Sequence, residues 1–349
     1  MINNSFFSTE ILRWFRENGR DLPWRETRDP YAIWLSEIIL QQTRIAQGWE
    51  YWERFVQTYP KVEDLAAASE DDVLKLWQGL GYYSRARNLH TAAKQIVALG
   101  DFPNTLEGIK SLKGVGDYTA AAIGSFAFDI PAAVVDGNVY RVLSRYFGID
   151  TPINSTQGKK EFAALAQSLL PASDAASYNQ GMMDFGAIQC TPQSPKCLLC
   201  PLAETCEALR CGRVEELPVK NKTVKVKTRH LSYIYIRCKS SAADGIGKFE
   251  PMVAIHRRGE GDIWQGLWEP YNVSDVKELP SFVKNPILLA KDVKHVLTHR
   301  ILLADFYLLE TESRPPLPDD YVWIRESEIE DYGVPRLIEI MLEKINPVE

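Results

Sequence analysis

The stretch Leu112-Lys113-Gly114-Val115-Gly116-Asp117-Tyr118-Thr119 precedes an apolar run to Phe128, and Val134-Val135-Asp136-Gly137-Asn138 follows it. Two glycines separated by one valine end a first helix, and the alanine-rich run begins a second. The pattern predicts a helix-hairpin-helix over about residues 108–124. Backbone N–H groups of the Gly114-Val115-Gly116 turn and the positive end of the second helix would bind an anion such as a DNA phosphate, with Lys113 beside them. An ordinary helix connection with glycine caps fits the same residues.

Asp136 lies where an apolar segment ends and a helix predicted over Val139 to Phe147 begins. An aspartate at this boundary is typical of a helix cap, which accepts hydrogen bonds from the first N–H groups of the helix. It is also well placed to face an electron-poor sugar. Both interpretations remain open at this point.

The composition is that of a globular protein, with 45% hydrophobic and 25% charged residues. A chain of 349 residues is long enough for two domains with their own cores. The start of the sequence has neither a signal peptide nor a membrane span, so we expect a cytoplasmic, nucleoid-associated protein that binds no membrane.

The formal net charge is -6, which argues against nucleic-acid binding through the average field of the protein. Residues 211–230 are locally basic, because they contain six lysines and arginines in total but only two glutamates. Any DNA must therefore bind a local surface.

The first half has the apolar spacing of helices, and alternation typical of strands begins only near residue 230. We predict an all-α domain over residues 1–209, a basic linker over 210–229 and an α+β domain over 230–349.

Glu37 lies within a strongly apolar helix, Trp34 to Leu40, and Gln41-Gln42-Thr43 follows. In a buried pocket its pKa would rise towards neutrality, as a general acid requires. From the sequence alone, a narrow solvent-exposed stripe is the favoured interpretation. The neutral side chains of Gln41, Gln42 and Thr43 are of the kind that contact base edges.

The segment Gly79 to Asn88 has a second Gly-X-Gly turn followed by tyrosines and arginines. Tyr82, Arg85 and Arg87 have the chemistry for stacking on bases and pairing with phosphates. A core helix with a solvated basic face is the alternative.

Four of the six cysteines are clustered as Cys190-x6-Cys197-x2-Cys200-x5-Cys206. Four thiolates within 17 residues can form one tetrahedral cage. Structural zinc is possible, but no histidine intervenes and the spacing lacks two Cys-x2-Cys pairs. We therefore favour an iron-sulfur cluster.

Together these motifs, in this order, resemble the adenine DNA glycosylases of the MutY family, which remove adenine mispaired with 8-oxoguanine. The likeness adds Leu22-Pro23-Trp24-Arg25 and runs over most of the chain. It implies a helix-hairpin-helix glycosylase domain with a [4Fe-4S] module that includes residues 190–206, and a Nudix-like recognition domain. The helical half is also similar to endonuclease III.

The resemblance assigns the chemistry residue by residue. Glu37 would protonate the flipped adenine, Asp136 would stabilise the sugar cation, and Tyr118 would support the site. Tyr118 stands where endonuclease III-type enzymes have a lysine that forms a Schiff base, so a monofunctional glycosylase is implied. Trp24 and Arg25 would border the adenine pocket, and Gln42 and Tyr82 would occupy the distorted base stack.

The second domain resembles the Nudix-like domain of the same family through Gly266 to Pro270 and the loop Leu297-Thr298-His299. It lacks the glutamate-rich helix of Nudix hydrolases, so we expect no pyrophosphatase activity. The loop would recognise 8-oxoguanine through Thr298. Leu297 replaces the phenylalanine of many relatives and offers no aromatic ring for stacking.

The expected partner is double-stranded DNA with an A:8-oxoguanine or A:G mispair, bound by a monomer. Two other functions remain open. One is an endonuclease III-like pyrimidine glycosylase and lyase, and the other is a noncatalytic iron-sulfur protein that binds DNA.

Overall fold

The computed structural model of the chain describes residues 4–221, 226–239, 250–273 and 280–346. It divides into two compact units, Met1–Ala67 with Thr91–Lys222 and Ala68–His90 with Thr223–Glu349. Part of the predicted linker (222–225) and parts of the predicted second domain (240–249, 274–279 and 347–349) lie outside the described residues. The sequence did not predict that Ala68–His90 pack with the second unit.

The first half of the chain is helical, as predicted. In chain order its helices are α1 (Asn4–Asn18), a 3-10 turn (Pro23–Arg25), α2 (Pro30–Ile39), α3 (Ile45–Thr58), α4 (Val62–Ala67), α5 (Glu70–Leu76), α6 (Ser84–Leu99), α7 (Leu106–Lys110), α8 (Asp117–Phe128), α9 (Gly137–Phe147), α10 (Thr156–Leu169), α11 (Ala175–Asp184) and α12 (Glu207–Arg210). A π-helical turn, Phe185–Gln189, leads from α11 to the first cysteine of the quartet.

Helix α2 is the central helix of the first unit. Asp29 caps it by accepting a hydrogen bond from the Tyr31 backbone N–H at 3.0 Å, and Pro30 occupies its first position, where no N–H is needed. All its residues from Tyr31 to Ile39 are buried, and it packs against α3 and α8. A carboxylate on this helix is therefore forced out of water.

The second unit contains a seven-stranded sheet. Its strands are β1 (Lys227–Cys238), β2 (Met252–Arg257), β3 (Trp268–Glu269), β4 (Tyr271–Val273), β5 (Ile287–Leu297), β6 (Arg300–Thr311) and β7 (Tyr321–Arg325). The order is β3-β2-β1-β6-β5, with β4 paired to β1 and β7 to β2. Only the β1–β6 pair is parallel among the described strands. Helix α13 (Arg336–Ile345) packs on β5 and β6 and closes the core.

Two features of the sheet differ from the expectation. Lys227 and Arg229, placed in the linker, belong to β1, because they pair with Arg300 and Leu302 of β6. Strands β3, β4, β5 and β7 were not predicted; in β5, register shifts between Leu288 and Val293 interrupt the alternation of apolar and polar residues.

Candidate functional site

A cleft of about 640 Å³ opens in the first unit. It brings together six residues singled out from the sequence, namely Glu37, Gln41, Gln42, Thr43, Tyr118 and Asp136. They come from the end of α2, the turn after it, the start of α8 and the start of α9. The cleft is large enough for a nucleoside, and two carboxylates share it.

Glu37 is only 7% exposed. The pKa of its carboxyl is raised to about 7, chiefly by burial and also by the nearby Asp136, whereas a hydrogen bond from the Tyr118 hydroxyl and the charge of Arg25 oppose the rise. The sequence alone favoured a solvent-exposed stripe, but the packing of α2 excludes it. A carboxyl with this pKa can be protonated near neutral pH.

Asp136 caps α9. Its Oδ1 accepts hydrogen bonds from the backbone N–H groups of Asn138 and Val139, each at 2.8 Å, and its Oδ2 accepts one from Asn138 Nδ2 at 2.7 Å. Burial raises the pKa of this carboxyl, whereas these hydrogen bonds and Arg141 oppose the rise. The capping interpretation therefore holds, and the same carboxylate also lines the cleft.

Asn138 is itself held in place. Arg141 Nη2 donates to its Oδ1 at 2.9 Å, and the same guanidinium bonds the Gly186 and Cys190 carbonyl oxygens. A Cβ at Gly186 would lie 2.6 Å from the Asn138 Cβ and 2.9 Å from its carbonyl oxygen. Only glycine permits this close approach.

Tyr118 stands at the start of α8, and its hydroxyl bonds the Glu37 carboxyl. Burial and the two neighbouring carboxylates raise its pKa well above the ordinary value. The phenol therefore stays protonated and acts as a donor. None of the described residues that line the cleft is a lysine.

The turn after α2 also faces the cleft. Gln41 Nε2 donates to Thr119 Oγ1 at 3.3 Å, and Gln42 has a φ of 56°. A non-glycine residue in the left-handed region is under backbone strain, which persists mainly where function needs it.

Trp24 and Arg25 do not line this cleft. Trp24 is buried between Trp49 and Trp52, with ring centroids 5.9 and 5.7 Å away. Arg25 donates to Asp184. The sequence reasoning missed Arg20, which lines the cleft, and Asp184, which binds both arginines. No local signal marks either residue.

The predicted hairpin forms between α7 and α8. Gly114 has a φ of 80°, which favours glycine, and Val115 anchors the turn in the interior. The Lys113 and Gly116 positions are exposed, and a Cβ placed at Gly116 would meet no protein atom within 4 Å apart from those of its chain neighbours. The N–H groups at the start of α8 are thus accessible to a phosphate. The Val115 N–H, a predicted phosphate donor, is instead used within the turn, because it donates to the Leu112 carbonyl oxygen at 3.1 Å.

A second cavity, of about 420 Å³, lies within the second unit. Leu297, Thr298 and His299 line it together with Tyr82 and Arg87. The Tyr82 hydroxyl and Thr298 Oγ1 are hydrogen-bonded. Two motifs that are 216 residues apart therefore form one surface.

Arg85 requires a correction. Its side chain is buried, lies 5.0 Å from the Trp77 ring centroid and donates to the carbonyl oxygens of Leu80 and Gly81. A guanidinium held in this way stabilises the turn, so the predicted phosphate contact by Arg85 is not supported.

Trp264 was not singled out from the sequence, although it lines the same cavity. Its φ is 61°, its ring lies 5.8 Å from that of His295, and Arg258 lies 5.9 Å from its centroid. The flanking glycines Gly261 and Gly266 were the available signal. An aromatic surface is thus present in the cavity where Leu297 replaces phenylalanine.

The four clustered cysteines, Cys190, Cys197, Cys200 and Cys206, are free of disulfides and line one cavity. Arg145 Nη1 donates to Cys190 Sγ at 3.5 Å, and Cys206 Sγ donates to the Arg145 carbonyl oxygen at 3.6 Å. Cys211 is exposed and lies outside this cavity.

The donor set fits a cluster better than a single ion. A zinc ion would draw the sulfurs together through bonds of about 2.3 Å. Within residues 4–221, 226–239, 250–273 and 280–346, no three His, Cys, Asp or Glu side chains are close enough to hold one metal ion. In a [4Fe-4S] cluster each of the four cysteines binds a different iron, so the cysteine sulfurs lie farther apart than they do around one zinc ion.

The described part of the chain has no helix that is both long and apolar enough to cross a bilayer.

Comparisons with known proteins agree with this architecture. Residues 35–171 match the HhH-GPD superfamily of base excision DNA repair proteins. Residues 190–206 match the iron-sulfur binding domain of endonuclease III, and residues 248–344 match a NUDIX domain. The chain thus combines a helical glycosylase domain, an iron-sulfur module that holds a [4Fe-4S] cluster and a Nudix-like α+β domain.

Whole-length relatives narrow the family. The adenine DNA glycosylase of Buchnera aphidicola subsp. Schizaphis graminum is 30% identical, covering 97% of this chain and 98% of the relative. The mouse adenine DNA glycosylase is 42% identical over 81% of this chain, which spans 56% of that relative. A solved thermostable thymine-DNA glycosylase has a TM-score of 0.56 at 34% identity, covering 60% of this chain and 97% of its own.

The family model, the cluster module and the Buchnera relative with near-complete coverage lead to one assignment. The chain is a DNA glycosylase of base excision repair and belongs to the MutY family of adenine DNA glycosylases.

Proposed function

We propose that this enzyme removes adenine from duplex DNA in which adenine is paired with 8-oxoguanine or guanine, by hydrolysis of the N-glycosidic bond. The observation that carries the proposal is the shared cleft of Glu37 and Asp136. One carboxyl there has a pKa near 7, and the other accepts three hydrogen bonds.

The two carboxyls support different steps. Protonated Glu37 donates its proton to N7 of the flipped adenine, which becomes a neutral leaving group as the N9–C1′ bond breaks. Ionised Asp136 stabilises the oxocarbenium-like sugar. Glu37, now ionised, accepts a proton from the water that attacks C1′. Tyr118 orients the Glu37 carboxyl.

Monofunctional chemistry is supported by the composition of the cleft. Schiff-base formation needs a neutral amine at C1′. The described residues that line the cleft include arginines but no lysine. Tyr118 occupies the position of the lysine that forms the Schiff base in endonuclease III-type enzymes. Water is therefore the nucleophile that we propose.

Recognition of the opposite base is assigned to the second unit. The hydroxyl pair of Tyr82 and Thr298 lies in a cavity with His299 and the Trp264 ring, which suits a purine with an additional carbonyl group. A monomeric state and nucleoid association belong to the same proposal. The [4Fe-4S] cluster, held by the four cysteines, would cross-link the loops that follow α11.

A labelled duplex with one A:8-oxoguanine pair tests the proposal. Incubation followed by hot alkali should cleave at the adenine, and A:G should react more slowly. Absence of an alkali-labile site at the adenine would refute it. Borohydride trapping of an adduct at an oxidised pyrimidine would favour the lyase function, and tight binding without product would favour a noncatalytic role.

A further inference from the structure

Asp184, the last residue of α11, is a fully buried carboxylate that two arginines share. Oδ1 accepts from Arg20 Nε and Arg25 Nη2, each at 2.9 Å. Oδ2 accepts from the Arg20 backbone N–H at 2.9 Å and from Arg25 Nη1 at 2.8 Å. Arg20 Nη2 donates a fifth hydrogen bond. Burial raises the pKa of Asp184, but the two arginines outweigh burial and hold that pKa below its ordinary value.

The two arginines affect the cleft in different ways, Arg20 as part of its wall and Arg25 through its charge. Arg20 is part of its lining, and its side chain is 30% exposed. Arg25 is 12% exposed, donates to the Arg20 carbonyl oxygen at 2.9 Å and lies 5.6 Å from the Phe15 ring centroid. Its positive charge lowers the pKa of Glu37.

The net charge of Arg20, Arg25 and Asp184 together affects whether Glu37 keeps its proton. Two guanidiniums around one carboxylate carry a net charge of +1 near a residue that must keep its proton. Without the carboxylate the net charge would be +2, and the arginines would lose five hydrogen bonds. Unpaired buried charges move or attract other partners.

We propose that Asp184 is a positioning residue for excision, which holds Arg20 against the wall of the cleft and limits the positive field of Arg25 at Glu37. This inference deepens the proposed function and rests on it. Asp184 is not among the described residues that line the cleft. It acts through the two arginines.

The direction of the effect follows from electrostatics. Glu37 is faced by Tyr118 from α8, Asp136 from the start of α9 and Arg25 from the 3-10 turn. Arg20 and Arg44 line the same cleft. Removing the Asp184 charge adds positive potential and stabilises ionised Glu37. The acid form is then lost at lower pH, so the alkaline limb of excision moves down in pH.

The test is the single-turnover rate of adenine excision from the A:8-oxoguanine duplex between about pH 5.5 and 9, with the full chain. For Asp184→Asn we expect the alkaline limb to move down by about 0.5–1 pH unit. A charge within about 4–6 Å shifts a pKa by about 1–3 units, and the effect of Asp184 is smaller because it reaches Glu37 through Arg25. For Arg25→Gln it should move up.

The double variant Asp184→Asn/Arg25→Gln should return the alkaline limb towards the wild-type position. If Asp184→Asn does not fold, the double variant is compared with Arg25→Gln instead. Asp184→Glu keeps the charge and should keep the limb. Glu269→Gln is the matched control, because Glu269 is also buried and pairs with an arginine, Arg258, at 2.5 Å in the other unit. It should not move the limb.

An unmoved limb in Asp184→Asn, with a rate loss equal at every pH, would overturn the inference while leaving the proposed function intact. Failure of the proposed function is distinguishable, because the wild-type chain would then not excise adenine at any pH.

Discussion

Asn138 holds the carboxylate of Asp136 with both its nitrogens, the backbone N–H at 2.8 Å on Oδ1 and Nδ2 at 2.7 Å on Oδ2. Donors aimed at both oxygens favour the ionised form, against the burial that raises the pKa. The same asparagine is fixed by Arg141 at 2.9 Å. Asn138, two residues further along the chain, therefore helps to maintain the negative charge of Asp136 that the proposed mechanism needs at the sugar.

The first prediction concerns this neighbour. Asn138→Ala removes the Nδ2 donor but keeps both backbone donors, so the pKa of Asp136 should rise. Ionised Asp136 is then reached only at higher pH, and the acidic limb of the excision rate should move up. Single-turnover rates against pH measure this. An unchanged acidic limb would show that the side-chain bond is dispensable.

Glu37→Gln should abolish general acid catalysis. We expect the excision rate to fall by about 10²–10⁴-fold, the range for such groups, while affinity for the mispaired duplex changes little. Single-turnover kinetics and a gel-shift titration provide the two numbers. Glu53→Gln on α3, an exposed carboxyl of the same unit, is the control and should keep the wild-type rate. An active Glu37→Gln contradicts the acid assignment.

The buried Glu37 also affects stability. Folding raises the pKa of this carboxyl from 4.5 to about 7. Between these two pH values the unfolded chain loses the proton while the folded chain keeps it, so the free energy of unfolding falls as the pH rises. The total loss above pH 7 is at most about 3 kcal/mol. Glu37→Gln should therefore stabilise the protein at pH 8 more than at pH 4.5. Thermal unfolding at both pH values checks this, and an equal change in Tm at the two would argue against a burial-raised pKa.

Loss of a cluster ligand should unfold the loops after α11. Cys197→Ser is expected to lose the visible absorption of the iron-sulfur cluster, to lower Tm and to weaken excision, because Cys190 and Arg141 connect this module to Asn138. Cys211→Ser is the matched control, since Cys211 is exposed and outside the cavity. Equal absorption in both variants would exclude Cys197 as a ligand.

Thr298→Val keeps the shape of the side chain and removes its hydroxyl. One hydrogen bond is worth about 0.5–1.5 kcal/mol, so preference for 8-oxoguanine over guanine should fall by about 2–10-fold. The ratio of excision rates on the two mispairs measures it. Thr298→Ser should restore the preference. A preference that Thr298→Val leaves intact would remove Thr298 from the recognition surface.

The sequence by itself determined the elements whose signals are local. The glycine spacing predicted the hairpin at Gly114, helix α9 was expected within two residues of its start, and the cysteine quartet identified the cluster module. Parts of β1, β2 and β6 were visible as alternation. The family resemblance, which depends on the order of these motifs, selected Glu37 and Asp136 before any geometry was known.

Only the tertiary structure decided the environment of these residues. Whether Glu37 faces solvent depends on what packs against α2, and Asp184 meets Arg20 across 164 positions of sequence. Ala68–His90 pack with the second unit, where Tyr82 meets Thr298. Burial and charge pairing arise from neighbours distant in the chain, so local propensity predicts the helices and strands but not the electrostatic state of the side chains on them.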